Sequence, residues 1–113
     1  MELSRLDKLL EFIKNEPEDE FLKYALATEY LRLNQADKAL TYYEDLITNH
    51  PNYVGTYYHL GKLYEALNRK EDAINTYETG MKTAKLKRDN HAFSELQAVY
   101  RLAMGIAEDD DDY

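Results

Sequence analysis

The chain has 113 residues, 32% of them charged, a net charge of −8 and no cysteine, so disulfides, thiolate zinc clusters and a cysteine nucleophile are excluded. With a mean hydropathy of −0.71 it has the length of one domain built on narrow apolar stripes, and its acidity disfavours nucleic acid or an acidic lipid surface as partner. No run approaches the roughly 18 apolar residues of a membrane span and no basic lead precedes an apolar stretch, so a cytoplasmic chain without a membrane partner is expected.

In chain order, residues 3–15 place Leu3, Leu6, Leu9, Leu10, Phe12 and Ile13 at helical spacing, more apolar positions than one buried stripe needs. Helices are predicted next over 20–33 and 36–49. Leu26, Ala27 and Tyr30 form the inner stripe of the first, and Ala39, Leu40, Tyr43, Leu46 and Ile47 that of the second. Asn34 stands in the break, because asparagine tolerates the left-handed conformation that ends a helix, and Asp37 puts negative charge into the opening turn that follows. Pro51 stops the second helix, since its nitrogen cannot donate to the preceding turn.

Residues 54–67 and 70–86 read the same way. Leu60, Gly61 and Tyr64 lie in one, Ala73, Ile74, Tyr77 and Met81 in the other, Asn68 in the break, and Glu71 with Asp72 just beyond it. The basic run Lys82, Lys85, Lys87 and Arg88 suits a helix C-terminus and prolongs the helix by a turn. Asp89 or Asn90 caps a sixth helix over 90–106, with Ala92, Phe93, Leu96, Val99, Tyr100 and Ala103 inward. Charge is uneven: residues 54–88 carry seven bases and four acids, residues 89–113 one base and seven acids. Residues 108–113 are thus expected to be a solvated acidic tail behind a single domain over 1–107.

A shift of 34 residues lays Leu26 on Leu60, Ala27 on Gly61, Tyr30 on Tyr64, Asn34 on Asn68, Ala39 on Ala73, Tyr43 on Tyr77 and Ile47 on Met81. A period of that length means stacked helical hairpins. A further shift back sets Leu6, Leu9, Phe12, Ile13 and Pro17 under Leu40, Tyr43, Leu46, Ile47 and Pro51, so residues 3–15 read as a lone second helix. Ala27, Ala39, Gly61, Ala73 and Gly80 keep helix axes close while the tyrosines fill the space between pairs.

These residues resemble the tetratricopeptide repeat family in its short bacterial form. The second unit, 54–87, carries Tyr57, Leu60, Gly61, Tyr64, Ala73, Ile74, Tyr77 and Gly80 at the family's positions. The first, 20–53, matches at Leu26, Ala27, Tyr30, Ala39, Tyr43 and Pro51 but has Lys23 where a large aromatic is usual and Leu46 where a small residue is usual. The resemblance implies an all-α fold, a right-handed α-solenoid of antiparallel helix pairs with about six helices, residues 3–15 and 90–106 flanking the two repeats.

Chemistry is not expected. His50, His59 and His91 lack metal-ligand spacing, and Glu18 with Glu20 or Glu71 with Asp72 sit at helix starts, where they relieve the dipole. No phosphate loop or nucleophile elbow occurs, so no catalytic residue, metal or cofactor is expected.

The resemblance places a peptide-binding groove on the first helix of each pair: Tyr24, Thr28 and Leu31 in one unit, Tyr58, Lys62 and Glu65 in the next, with Leu96 and Tyr100 from the last helix. Tyr30, Tyr43, Tyr57, Tyr64 and Tyr77 occupy packing positions; Tyr24 and Tyr58 lie off that stripe, where an aromatic with one polar atom can grip a peptide or simply pack. Family members that hold acidic chaperone C-termini use a Lys and Asn clamp; its positions here are Tyr24, Thr28, His59, Asp89 and Phe93, so the clamp is absent. The expected partner is a neutral or basic protein segment with apolar anchors. The alternative is self-association into a homodimer through the apolar surplus of residues 3–15.

Overall fold

The computed structural model describes residues 3–105, and among them the chain forms six helices and no strand: α1 (Arg5–Asn15), α2 (Glu20–Arg32), α3 (Ala36–Asn49), α4 (Gly55–Ala66), α5 (Lys70–Leu86) and α6 (Asn90–Ala103). The predicted boundaries hold to within a few residues, and both discrepancies of note have local causes. Helix α1 starts two residues late because Ser4 and Asp7 form a reciprocal capping box, the Asp7 N–H donating to Ser4 Oγ at 3.0 Å. Helix α6 stops at Ala103 rather than 106, because Gly105 takes φ +82° and its N–H turns back to the Leu102 carbonyl. The predicted acidic tail lies outside the described residues.

The repeat is legible in the backbone itself. Three helices end on a residue in the left-handed region, Asn34 at φ 61°, Asn68 at φ 62° and Arg88 at φ 58°. In each case the next N–H reaches back five residues, Gln35 to Tyr30 O at 2.9 Å, Arg69 to Tyr64 O at 2.8 Å and Asp89 to Ala84 O at 2.9 Å, which satisfies carbonyls that the helix end would leave bare. The C-caps of α1 and α3 also match, Glu16 at φ −132°, ψ 66° and His50 at φ −138°, ψ 59°, so α1 ends as α3 ends. Asp19 and Asp89 cap α2 and α6 by accepting from the N–H groups of Leu22 and Ala92.

The helices gather into two compact units, one ending at Thr56 and the other beginning at Tyr57. In the first, α2 packs against both α1 and α3, and Leu26, Ala27, Ala39, Tyr43 and Leu46 are fully buried. Leu46, bulky at a family position for a small side chain, is therefore core. Lys23 is core as well, only 4% exposed. Its ammonium meets Asp45 of α3 at 2.6 Å, Glu18 at 2.9 Å and His50 Nε2 at 3.2 Å, so charge pairing satisfies the buried cation. Burial draws the Lys23 pKa down, but the Asp45 and Glu18 carboxylates outweigh it and hold the ammonium above the ordinary lysine value. Buried Glu29 is similarly held by Arg32 at 2.5 Å and, from α1, by Arg5 at 3.3 Å. The Arg32 hydrogen bond, against the effect of burial, keeps its carboxyl below 4.5.

The second unit closes by shape. Gly61 of α4 lies against the fully buried Tyr77 ring of α5, where a Cβ would sit 2.6 Å from Tyr77 Cζ. Gly80 of α5 answers in the other direction: a Cβ there would meet Tyr57 Cβ at 2.5 Å and Leu96 Cδ1 of α6 at 3.1 Å. Small residues thus let two helices approach while each receives the other's ring.

Candidate interaction surface

Helix α2 is buried over most of its circumference, at Lys23, Ala25, Leu26, Ala27, Glu29 and Tyr30. Its remaining strip carries Phe21, Tyr24, Thr28 and Leu31, spaced by three, four and three residues so that they share one face. Phe21 is 59% exposed, Thr28 is exposed, and Tyr24 and Leu31 are half-buried. Sequence reading missed Phe21, although its place one turn before Tyr24 was the available signal. Tyr24 is braced by neighbouring rings, edge-on to Tyr43 at 6.4 Å and tilted against Tyr53 at 5.5 Å. It therefore both packs and presents an edge, and burial raises its phenol pKa. Beneath it the Tyr43 phenol is pushed up to about 12 by burial, with the Thr28 hydroxyl drawing it back.

In the second unit Tyr58, Lys62 and Glu65 repeat the spacing of Tyr24, Thr28 and Leu31 on α4. Tyr58 is half-buried with its ring edge-on to His59 at 5.4 Å, Lys62 is exposed, and Glu65 accepts a hydrogen bond from the Tyr77 hydroxyl at 2.5 Å. Burial and that bond raise the Tyr77 phenol pKa strongly. Half-buried Tyr100 donates to Glu78 Oε2 at 3.0 Å. Leu96 departs from its expected groove role: at 1% exposure it is core, seated over Gly80, because the phase of α6 turns it inward. A shallow recess of about 330 Å³ next to Glu65 is lined by Asn68, Lys70, Leu102 and Ala103.

All five tyrosines assigned to packing, Tyr30, Tyr43, Tyr57, Tyr64 and Tyr77, are buried. Among the described residues no group of three or more His, Asp or Glu side chains is arranged to hold a metal. None of the helices there is long and apolar enough to cross a membrane.

Residues 3–80 match the family model described as anaphase-promoting complex, cyclosome, subunit 3. A crystal structure of a tetratricopeptide repeat domain protein from Salinibacter ruber is 48% identical, with a TM-score of 0.76 over 80% of this chain and 100% of that one. A solution NMR structure of a tetratricopeptide repeat domain protein from the same organism is 45% identical over 86% of this chain and 98% of that one, with a TM-score of 0.76. A protein from Bordetella parapertussis, 21% identical over 91% of this chain and 90% of its own, shares the fold with a TM-score of 0.77. No curated protein matches the chain. The repeated helical hairpins, the glycine-to-tyrosine packing and these likenesses together place the chain in the tetratricopeptide-repeat family, whose members generally act as non-catalytic protein-interaction modules.

Proposed function

We propose that this chain is a non-catalytic adaptor that holds peptide segments of a partner protein on the open strips of α2 and α4. The observation that supports this reading is the α2 strip: Phe21, Tyr24, Thr28 and Leu31 are left partly open on a helix otherwise buried nearly all round. Rings with large contact area and few rotatable bonds, interleaved with hydroxyl groups, suit peptide capture. Tyr58, Lys62, Glu65 and Tyr100 are the corresponding contacts in the second unit, and Leu96 supports them from below. The net charge of −8 favours a neutral or basic segment with apolar anchors, encountered faster at low salt, in a cytoplasmic setting.

The test is selection from a random peptide library on the whole chain, followed by Phe21→Ser, Thr28→Glu and Lys62→Glu with helicity checked by circular dichroism. Enriched peptides that lose binding to these variants support the strips as the site; peptides that bind them undiminished overturn it. Tyr24→Ala is avoided as a first probe because removing the ring would also unseat Tyr43 and Tyr53.

A second reading, homodimerisation through α1, is favoured by Leu3 at 53% and Phe12 at 58% exposure. Leu3, Leu10 and Ile13 line an open groove of about 600 Å³ with Asp7, Glu11 and Lys14. Light scattering that returns a monomer at high concentration removes that reading.

A further inference from the structure

Helix α5 outruns its repeat counterpart. Under the 34-residue shift the end of α3 at Asn49 corresponds to Thr83, yet α5 continues to Leu86. The added turn is built with two faces. Ala84 points inward and is fully buried, whereas Lys85 is exposed and Leu86 is 86% exposed. Lys82, one turn earlier, is exposed on the same side as Lys85, and the chain then leaves through Lys87 and Arg88, the latter in the left-handed conformation.

Four cations and no acid therefore occupy 82–88, while the rest of the chain stands at −12 once they are set apart from the net −8. Lys82, Lys85 and Arg88 belong to none of the ion pairs among the described residues. Cations at a helix C-terminus are favoured by the dipole, and Lys85 in the last turn meets that need. The dipole gives no reason to present a bare leucine between them.

We propose that this tip is a docking site for an acidic segment of a partner protein, a short run of Asp and Glu with one aliphatic side chain beside it. The carboxylates would meet Lys82, Lys85 and Arg88, and the aliphatic group would cover Leu86. Lys82 and Lys85 stand about one helical turn, roughly 5 Å, apart along the axis, inside the Debye length at physiological salt, so they act as a single field. Charge complementarity selects the occupant: a short acidic segment can touch the tip alone, whereas a duplex or a bilayer is an extended polyanion set against a chain whose net charge is −8. The tip lies on a different helix from the α2 and α4 strips, so its occupant and theirs can differ in charge.

The experiment uses the whole chain and fluorescence anisotropy of a labelled peptide in which six aspartates flank one leucine. Saturable binding is expected, weakened about tenfold or more in Lys82→Glu/Lys85→Glu, about threefold in Leu86→Ser and by a serine in place of the peptide leucine, and unchanged in Lys8→Glu, an exposed cation of α1. Absence of saturable binding, or equal weakening by Lys8→Glu, overturns the site. Tighter association with phosphatidylserine vesicles than with the peptide overturns the choice of partner. All three variants are exposed positions whose helicity is checked in parallel, so a loss of binding is not a loss of fold.

Discussion

Replacing Gly61 by alanine tests the packing on which the second unit depends. A Cβ at that position would overlap the Tyr77 ring, lying 2.6 Å from Cζ and 2.7 Å from Cδ1, against an optimal carbon separation of about 3.5–4.0 Å. Tyr77 has no free direction: the side chain is fully buried and its hydroxyl is fixed to Glu65 at 2.5 Å. Overpacking of this kind costs about 3 kcal/mol at the upper end of its usual range, and the helix propensity gained by losing a glycine returns about 1 kcal/mol. The expected net loss is about 2 kcal/mol, a fall in Tm of about 8 °C for a chain of this size. Gly55→Ala is the control, because a Cβ there meets Tyr24 Cε1 at an ordinary 3.7 Å, and its stability should be unchanged or slightly higher. Urea denaturation followed by circular dichroism measures both, and Gly61→Ala combined with Tyr77→Leu should lose less than the two single changes added together. A Gly61→Ala chain as stable as the parent would refute the close-approach reasoning.

Arg88→Gly should stabilise the chain by about 1 kcal/mol in the same assay, since the arginine holds a φ of 58° that a Cβ disfavours. Asp45→Ala, which strips the nearest carboxylate from buried Lys23, should cost about 1–3 kcal/mol. His59 has its pKa lowered below 6.5 by burial, with Glu95 opposing, so the unfolded chain binds its proton first. Its contribution is therefore full above pH 6.5 and declines as the pH falls through 6.5 toward the folded value, and His59→Gln should flatten that part of the urea-midpoint profile. Glu29 has the acid-range counterpart: its contribution stands above pH 4.5 and is lost as the pH falls through its lower folded value, so the advantage over Glu29→Gln should shrink there.

Much of the fold was legible because its signals are local. The 34-residue offset located both hairpins, and asparagine at 34 and 68 identified two of the three left-handed turns. Arg88 gave no such sign, since an arginine rarely takes that conformation and only the Asp89 bond to Ala84 O reveals the same turn. Lys23 and Glu29 were not legible as core. Lys23 depends on Asp45 and His50, 22 and 27 residues further on, and Glu29, besides Arg32 one turn away, on Arg5, 24 residues back; helical periodicity does not register these distant partners. Leu96 was assigned both to the inward side of α6 and to the open face; with no third repeat to fix the rotation of α6, only the contact with Gly80 decides between them.

The three chain reversals place Gln35, Arg69 and Asp89, an amide, a cation and an acid, at one and the same backbone post. A joint that accepts such different side chains constrains the number of residues rather than their kind. Apart from Asp89, whose carboxylate also caps α6, substitution at these posts should be broadly permitted, whereas a single residue added between Asn68 and Lys70 would break the link from Arg69 to Tyr64 and deliver the following helix about 100° out of phase. For anyone grafting new specificity onto this scaffold, positions 35 and 69 of the hinges tolerate recoding better than the hinges tolerate lengthening.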